Sequence, residues 1–172
     1  MELQSYSARE TLRDGGTAEI RALRTADTEG LLAALDRMSD ESIYRRFFGP
    51  RRELTEEEVA YYTKVDFKNH VALVAVLEED GGELIVGGAR CIVTSPGTAE
   101  VAFAVDDPHQ GRGIGAMLLR HLAVTARRIG VTQLYAEVLP SNTAMLKVFE
   151  RSGLRASSER EPGVVHVTLR VV

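Results

Sequence analysis

GTAEVAFAVDDPHQGRGIGAMLLRHLAVTARRIG, residues 97–130, joins an apolar run of strand character to a helical repeat through a turn with three glycines in five positions. Residues 98–106 alternate small and large apolar side chains and read as a β-strand. Met117, Leu118, His121, Leu122 and Thr125 recur along one side of a helix that Gly130 ends. Between them, Gly111, Gly113 and Gly115 leave backbone N–H groups unobstructed at the positive end of the helix dipole, an arrangement that suits an anion. A plain strand-to-helix turn would not need three glycines, each of which costs backbone entropy on folding.

Working outward, the upstream chain divides into hairpins and short helices. Residues 1–10 carry little periodic signal and are expected to form a loose tail. TLRDGGTAEIRAL places Asp-Gly-Gly between two alternating runs, a hairpin signature. Leu31, Leu32, Leu35 and Met38 share helical spacing behind Asp27 or Thr28 as cap. SDESIYRRFF predicts a second helix, with Ser39 and Ser42 as candidate caps and Gly49-Pro50 as the stop. Thr55 and Glu58 have capping-box spacing for a third. Strands are predicted over 70–77, 84–94 and 98–106, and the short turns between them force antiparallel neighbours. Downstream, TQLYAEVL predicts a strand, SNTAMLKVFERSG a helix with Ser141 as cap and Gly153 as stop, and VVHVTLRVV a final strand. The class is therefore α+β: an antiparallel half followed by a βαβ unit that adds a parallel strand.

The 172 residues suit one domain, 1–172, able to bury a core without disulfide or metal. No apolar run approaches the roughly 20 residues needed to cross a bilayer, and the N-terminus lacks signal-peptide order, so a cytoplasmic protein is expected. The net charge of −4, with no basic block, argues against a nucleic-acid or membrane-surface partner. Four histidines with no shared helix face predict no metal site, and the lone Cys91 reads as a buried small hydrophobe.

Two anion-binding folds fit the glycines. Gly111-Arg112-Gly113-Ile114-Gly115-Ala116 satisfies the dinucleotide pattern G-x-G-x-x-[GA], with Glu137 placed as a ribose-binding acid. In that fold, however, the glycines follow the first strand of a parallel sheet at once. Here Asp106 to Gln110 intervene, after several hairpin-linked strands. Gln110-Gly111-Arg112-Gly113-Ile114-Gly115 also matches Q/R-x-x-G-x-G/A, the pyrophosphate loop of the GNAT N-acetyltransferase superfamily, and residues 17–172 resemble that family throughout. The resemblance implies a mixed central sheet with a splayed parallel pair at the cofactor site, and acetyl-CoA as acyl-donating cosubstrate. Amides of Gly111, Arg112, Gly113, Ile114 and Gly115 would hold the pyrophosphate, with Gln110 opening the motif. Backbone groups near Phe103 and Val105 would meet the pantetheine arm, and Asn142 would contact it from the last helix. Arg112, Arg120 and Lys147 are candidates for the cofactor phosphates.

The stretch SDESIYRRFFGPRRELTEEEVAYYTKVDFKNHVALVA, with GTAEVAFAVDDPHQGRGIG, resembles the bacterial Pat-type protein lysine acetyltransferases more closely. In those enzymes a glutamate at the position of Glu100 is regarded as the general base. A lysine amine has a pKa of about 10.4, so a carboxylate that accepts its proton is what the chemistry needs. Strand alternation puts Glu100, Ala102 and Ala104 on one face and Val101, Phe103 and Val105 on the other, unless a bulge shifts the register. Phe149 stands where many GNAT enzymes carry a proton-donating tyrosine. The expected function is direct acetyl transfer, in a ternary complex, to a lysine of a protein such as an acyl-CoA synthetase. A small-amine acetyltransferase and a catalytically silent acyl-CoA sensor are the alternatives.

Overall fold

The computed structural model describes residues 2–47, 53–79 and 81–171. In chain order the elements are β1 (Ser7–Thr11), β2 (Thr17–Ala22), α1 (Thr28–Asp36), α2 (Asp40–Phe47), α3 (Glu56–Thr63), β3 (His70–Glu79), β4 (Gly82–Ser95), β5 (Thr98–Val105), α4 (Ile114–Arg128), β6 (Gln133–Val138), α5 (Thr143–Glu150), β7 (Arg155–Glu161) and β8 (Val164–Arg170). The strands form one sheet in the order β1-β2-β3-β4-β5-β6-β8-β7, antiparallel throughout except for β5 and β6.

The continuous apolar run of β3 is buried on both faces. Val71, Leu73, Ala75 and Leu77 join the main core, to which α4 contributes Leu118, Leu119 and Leu122. Ala72, Val74 and Val76 pack in a second cluster with Ala34 of α1. Helix α4 therefore covers one face and α1 the other.

Two expectations are corrected at the ends of the chain. The supposed loose tail contains β1, hydrogen-bonded to β2 from Ser7↔Arg21 to Thr11↔Thr17. Buried Tyr6 reaches His121 of α4 through a 2.5 Å hydroxyl contact, and His121 Nε2 lies 2.7 Å from Glu10. Periodicity gave no hint of this because the strand has an edge position and polar side chains. Strand β7, RASSERE, was not expected at all: every residue is exposed, so no alternation marks it. It exists because Pro162 and Gly163 (φ 82°) turn it onto β8, and its charges protect an open sheet edge.

Caps differ from expectation in two places. Asn142, not Ser141, caps α5, its Oδ1 accepting from Met145 N at 3.3 Å. Asp27 precedes α1 but turns its carboxylate to the buried Arg21, which donates from Nη1 and Nη2 at 2.8 and 2.9 Å. The Thr55–Glu58 capping box and the Ser39 cap of α2 form as expected. The Gly49-Pro50 stop lies outside the described residues.

Candidate active site

The sheet opens where its one parallel pair ends. β5 and β6 register only from Thr98↔Gln133 to Glu100↔Tyr135. Beyond that point β5 stays with β4 as far as Gly87↔Val105, while β6 stays with β8 through Val138↔Val165. The strands part, and Val101, Phe103, Ala136 and Val138 line a cleft of about 280 Å³. A second cavity of about 330 Å³ follows along Val105, Gln110, Gly111, Gly113 and Gly115. Arg45, Asn142 and Met145 line both, so the two are one continuous groove. Backbone N–H and C=O groups facing such a gap need a partner, and an amide-bearing ligand arm supplies one.

At one end of the groove lies the glycine loop. Gly111 and Gly113 adopt φ of 81° and 88°, left-handed conformations that glycine takes without strain. Gly113 is the N-cap of α4, so the helix has no acceptor for the amides of Ile114, Gly115 and Ala116. No acceptor for the amides of Gly111, Arg112 or Gly113 occurs among the described residues. A Cβ at Gly113 would stand 3.4 Å from the Arg13 side chain, so Arg13 packs directly beside the loop and lines the same cavity. Arg13, Lys147 and Arg151 line this end. Donors and charge both fit a pyrophosphate.

The residues before the glycines brace the loop. Asp106, 1% exposed, accepts from Arg37 Nε at 2.6 Å and contacts His109 Nδ1 at 2.5 Å. Asp107 accepts from Ser39 N at 2.8 Å. Gln110 Nε2 donates to the Val105 carbonyl at 2.9 Å and to Ser42 Oγ at 3.2 Å. The loop is thus fastened to α1, to the start of α2 and to the end of β5. This is why five residues separate strand from glycines here, in contrast to the dinucleotide turn.

The expected site residues fall into groups. Gln110, Gly111, Gly113, Ile114, Gly115 and Val105 line the loop end, and Ile114 sends its buried side chain into the core. The side chain of Gln110 and the carbonyl of Val105 are engaged with one another. Phe103 lines the parted strands, its ring 5.6 Å from that of Phe149, and Asn142 bridges both cavities while capping α5. Arg112 points away: its Nε donates to Asp14 at 2.8 Å, tying the loop to the β1–β2 turn. Arg120 likewise pairs with Glu10 at 3.1 Å. The basic residues that sequence reasoning missed are Arg13, about a hundred positions upstream in a turn with no motif to mark it, and Arg151 at the end of α5.

Glu100 stands at the opposite end, exposed, where the strands begin to part. The irregularities of the sheet fall near Val86 and Thr94, leaving β5 unbroken from Ala99 to Val105. Glu100, Ala102 and Ala104 accordingly share one face. Tyr135 is the registered neighbour of Glu100. Its phenol is pushed up to about 12, first by burial and then by Glu137, so it stays protonated and donates to Glu137 at 3.0 Å. Glu137, the supposed ribose acid, lies beside Glu100 and away from the glycine loop, against the dinucleotide reading. Arg46 and Tyr62 close this end. Burial draws the Arg46 guanidinium below its ordinary range, while Tyr62 and Glu100 oppose that shift. The loop end is therefore cationic and suits an anionic donor, while the far mouth sets the carboxylates Glu100 and Glu137 beside Arg45 and Arg46. Cys91 is fully buried, and burial pushes its thiol up to about 11, so it offers no nucleophile.

Comparison with known proteins agrees with this geometry. Residues 38–154 match the acetyltransferase (GNAT) family. The chain is 35% identical over 144 residues to acetyltransferase Pat of Mycolicibacterium smegmatis, covering 83% of this chain and 42% of that protein. It is 34% identical to acetyltransferase PA5475 of Pseudomonas aeruginosa, covering 79% of this chain and 74% of that one. The GNAT domain of S. lividans PAT superposes with a TM-score of 0.85 at 39% identity, covering 95% of this chain and 96% of that domain. With the motif, the parted strands and these relatives in hand, the chain belongs to the GNAT acetyltransferase family, whose acyl donor is acetyl-CoA.

Proposed function

We propose that this protein is a cytoplasmic enzyme that transfers the acetyl group of acetyl-CoA directly to a lysine side chain of a protein acceptor, with an acyl-CoA synthetase as the first acceptor to test. The observation that carries the reading is Glu100: a carboxylate at the open mouth of the groove, at the end away from the cationic glycine loop. Glu100 takes one proton from the lysine ammonium. The neutral nitrogen then bonds to the acyl carbon, the carbon–sulfur bond breaks, and the nitrogen's surplus proton ends on the departing sulfur, giving an amide and the CoA thiol. Phe149 supplies no phenol for that last transfer, and thiolate is a good enough leaving group to depart without one. The buried, protonated Cys91 supports direct transfer over an acetyl-cysteine relay.

A protein acceptor is supported by two large exposed side chains. Tyr44 is 49% and Tyr61 51% exposed, on α2 and α3, each directly beside a residue that lines the mouth, Arg45 and Tyr62. Tyrosines of this kind are common anchors of protein interfaces. Incubation with acetyl-CoA and a purified acyl-CoA synthetase, followed by mass-spectrometric mapping, tests the reading. Site-specific lysine acetylation that Glu100→Gln slows by about 10²-fold near neutral pH is expected. Acetylation of free polyamines or aminoglycosides with no protein site modified would contradict it.

A further inference from the structure

Arg46, on α2, lines the mouth of the groove beside Glu100 and is only partly exposed. Its guanidinium carbon lies 4.6 Å from the centre of the Phe47 ring, a cation–π contact. Among the described residues it makes no hydrogen bond and no ion pair. The sequence from 48 to 52 adds no carboxylate. Other arginines nearby are committed: Arg45 Nη2 donates to Glu41 at 2.7 Å, and Arg37 Nε donates to Asp106 at 2.6 Å. Behind Arg46, on the side away from the mouth, stands Arg90, which donates from Nη1 to the Tyr62 carbonyl at 3.0 Å and sits 4.7 Å from the centre of the Tyr62 ring. Burial first, and then the charge of Arg46, bring the Arg90 guanidinium down to about 10. Two like charges thus lie close together with no carboxylate between them among the described residues.

A guanidinium drawn partly out of water without an acceptor carries a desolvation cost that an incoming anion offsets. The carboxylates of the mouth are otherwise placed: Glu137 accepts from Tyr135, and Glu100 acts on Arg46 through space without pairing with it. They stand on β5 and β6 and Arg46 on α2, so the two signs occupy different sides of one opening. A lysine whose ammonium goes to Glu100 brings its neighbours in the chain past Arg46. We propose that Arg46 is a specificity-determining residue that binds a carboxylate of the acceptor, so that the enzyme selects lysines with an aspartate or glutamate close by in sequence. The inference rests on the lysine-acceptor reading above and adds the chemistry of the residues around that lysine. A carboxylate suits the place better than a doubly charged phosphate, which Glu100 and Glu137 repel more strongly. The planar fork of the guanidinium matches the two carboxylate oxygens, a match that a lysine at position 46 would not reproduce.

The test compares two synthetic acceptors of equal shape, acetyl-Glu-Glu-Lys-Glu-Glu-amide and acetyl-Gln-Gln-Lys-Gln-Gln-amide, at saturating acetyl-CoA, with the wild-type protein, Arg46→Gln and Arg46→Lys. A hydrogen bond to a charged group corresponds to about tenfold or more. The wild type should show a kcat/KM at least about tenfold higher for the glutamate peptide, with the difference in KM. In Arg46→Gln the ratio of the two peptides should fall to about one, and in Arg46→Lys, which keeps the charge and loses the fork, it should take an intermediate value. Equal kcat/KM for the two peptides in the wild type would overturn the proposal whatever the variants do. A preference that persists in Arg46→Gln would overturn it as well, because the selection would then belong to other charges. Acetylation of acyl-CoA synthetase with neither peptide modified would also overturn it, since the neighbours of the lysine would then carry no recognition. Failure to acetylate a lysine in either peptide or in the synthetase would instead refute the lysine-acceptor reading, and this inference with it.

Discussion

Gly113→Ala separates the two things a glycine does at this loop. The residue has φ 88°, and a non-glycine residue there costs about 1–2 kcal/mol. The added methyl meets nothing closer than 3.4 Å within the protein, so strain is the whole effect on folding. Gly130, at the other end of the same helix, has φ 87° and open space within 4 Å of an added methyl, and Gly130→Ala is therefore a matched control. Both variants should lose about 1–2 kcal/mol, or roughly 2–8 °C in melting temperature for a domain of this size. Only Gly113→Ala adds a methyl at the cavity lined by Arg13 and the free-amide loop, and its acetyl-CoA affinity should fall at least about tenfold, near 1.4 kcal/mol. At ligand one hundred times the wild-type Kd, stabilisation should drop from about 2.7 to about 1.4 kcal/mol, while Gly130→Ala keeps the full value. Calorimetric titration and thermal unfolding with and without acetyl-CoA measure both quantities. Equal affinity in the two variants would refute the cradle.

Three other perturbations address the surroundings of the site. Asp106→Ala removes the buried partner of Arg37, which at 29% exposure still reaches water, so the loss falls somewhat below the roughly 3–5 kcal/mol of fully buried broken pairs, at about 2–3 kcal/mol in urea denaturation. His70 is held down to about 4, by burial first and then by Arg90, whose Nη1 donates to its Nε2 at 3.0 Å. The unfolded chain takes up a proton near pH 6.5 that the folded protein refuses until about pH 4, so this contribution is complete above pH 6.5 and lost as pH falls through about 4. Its ceiling is roughly 3 kcal/mol, and the stability difference between wild type and His70→Gln should shrink across that window; a constant difference would contradict the assignment. Tyr44→Ala and Tyr61→Ala should each raise the KM of a protein acceptor severalfold without changing acetyl-CoA affinity, and equal effects on a lysine-containing peptide would remove the interface role.

The loop and most elements were legible because they rest on local chemistry. Gly111 to Gly115, the Thr55–Glu58 box and the alternation of β5 each announce themselves within a few residues. What escaped was carried by distance or by polarity. Arg13 reaches the site only because β1 and β2 bring their turn beside the start of α4. The sequence offers Arg112 as the phosphate ligand, yet Asp14 holds its side chain elsewhere. Strand β7 has no apolar face to reveal it, and Asn142 reads equally well as cap or ligand contact, since its place at the start of α5 lets it cap while lining the groove. Arg46 and Tyr62 enter the site through tertiary packing of α2 and α3, which no local pattern records.

The most direct measurement is the pH dependence of turnover for Glu100→Gln, which keeps the side chain's shape and removes its basicity. At saturating acetyl-CoA and acceptor, between about pH 6.5 and 9.5, turnover should fall by about 10²-fold at the low end. The deficit should narrow as pH rises toward the lysine pKa of about 10.4 and the amine loses its proton unaided. Acetyl-CoA affinity should stay within about twofold of wild type. A Glu100→Gln enzyme that turns over at the wild-type rate with saturating acceptor, or whose loss lies wholly in acceptor KM, would contradict the role of Glu100 as the base.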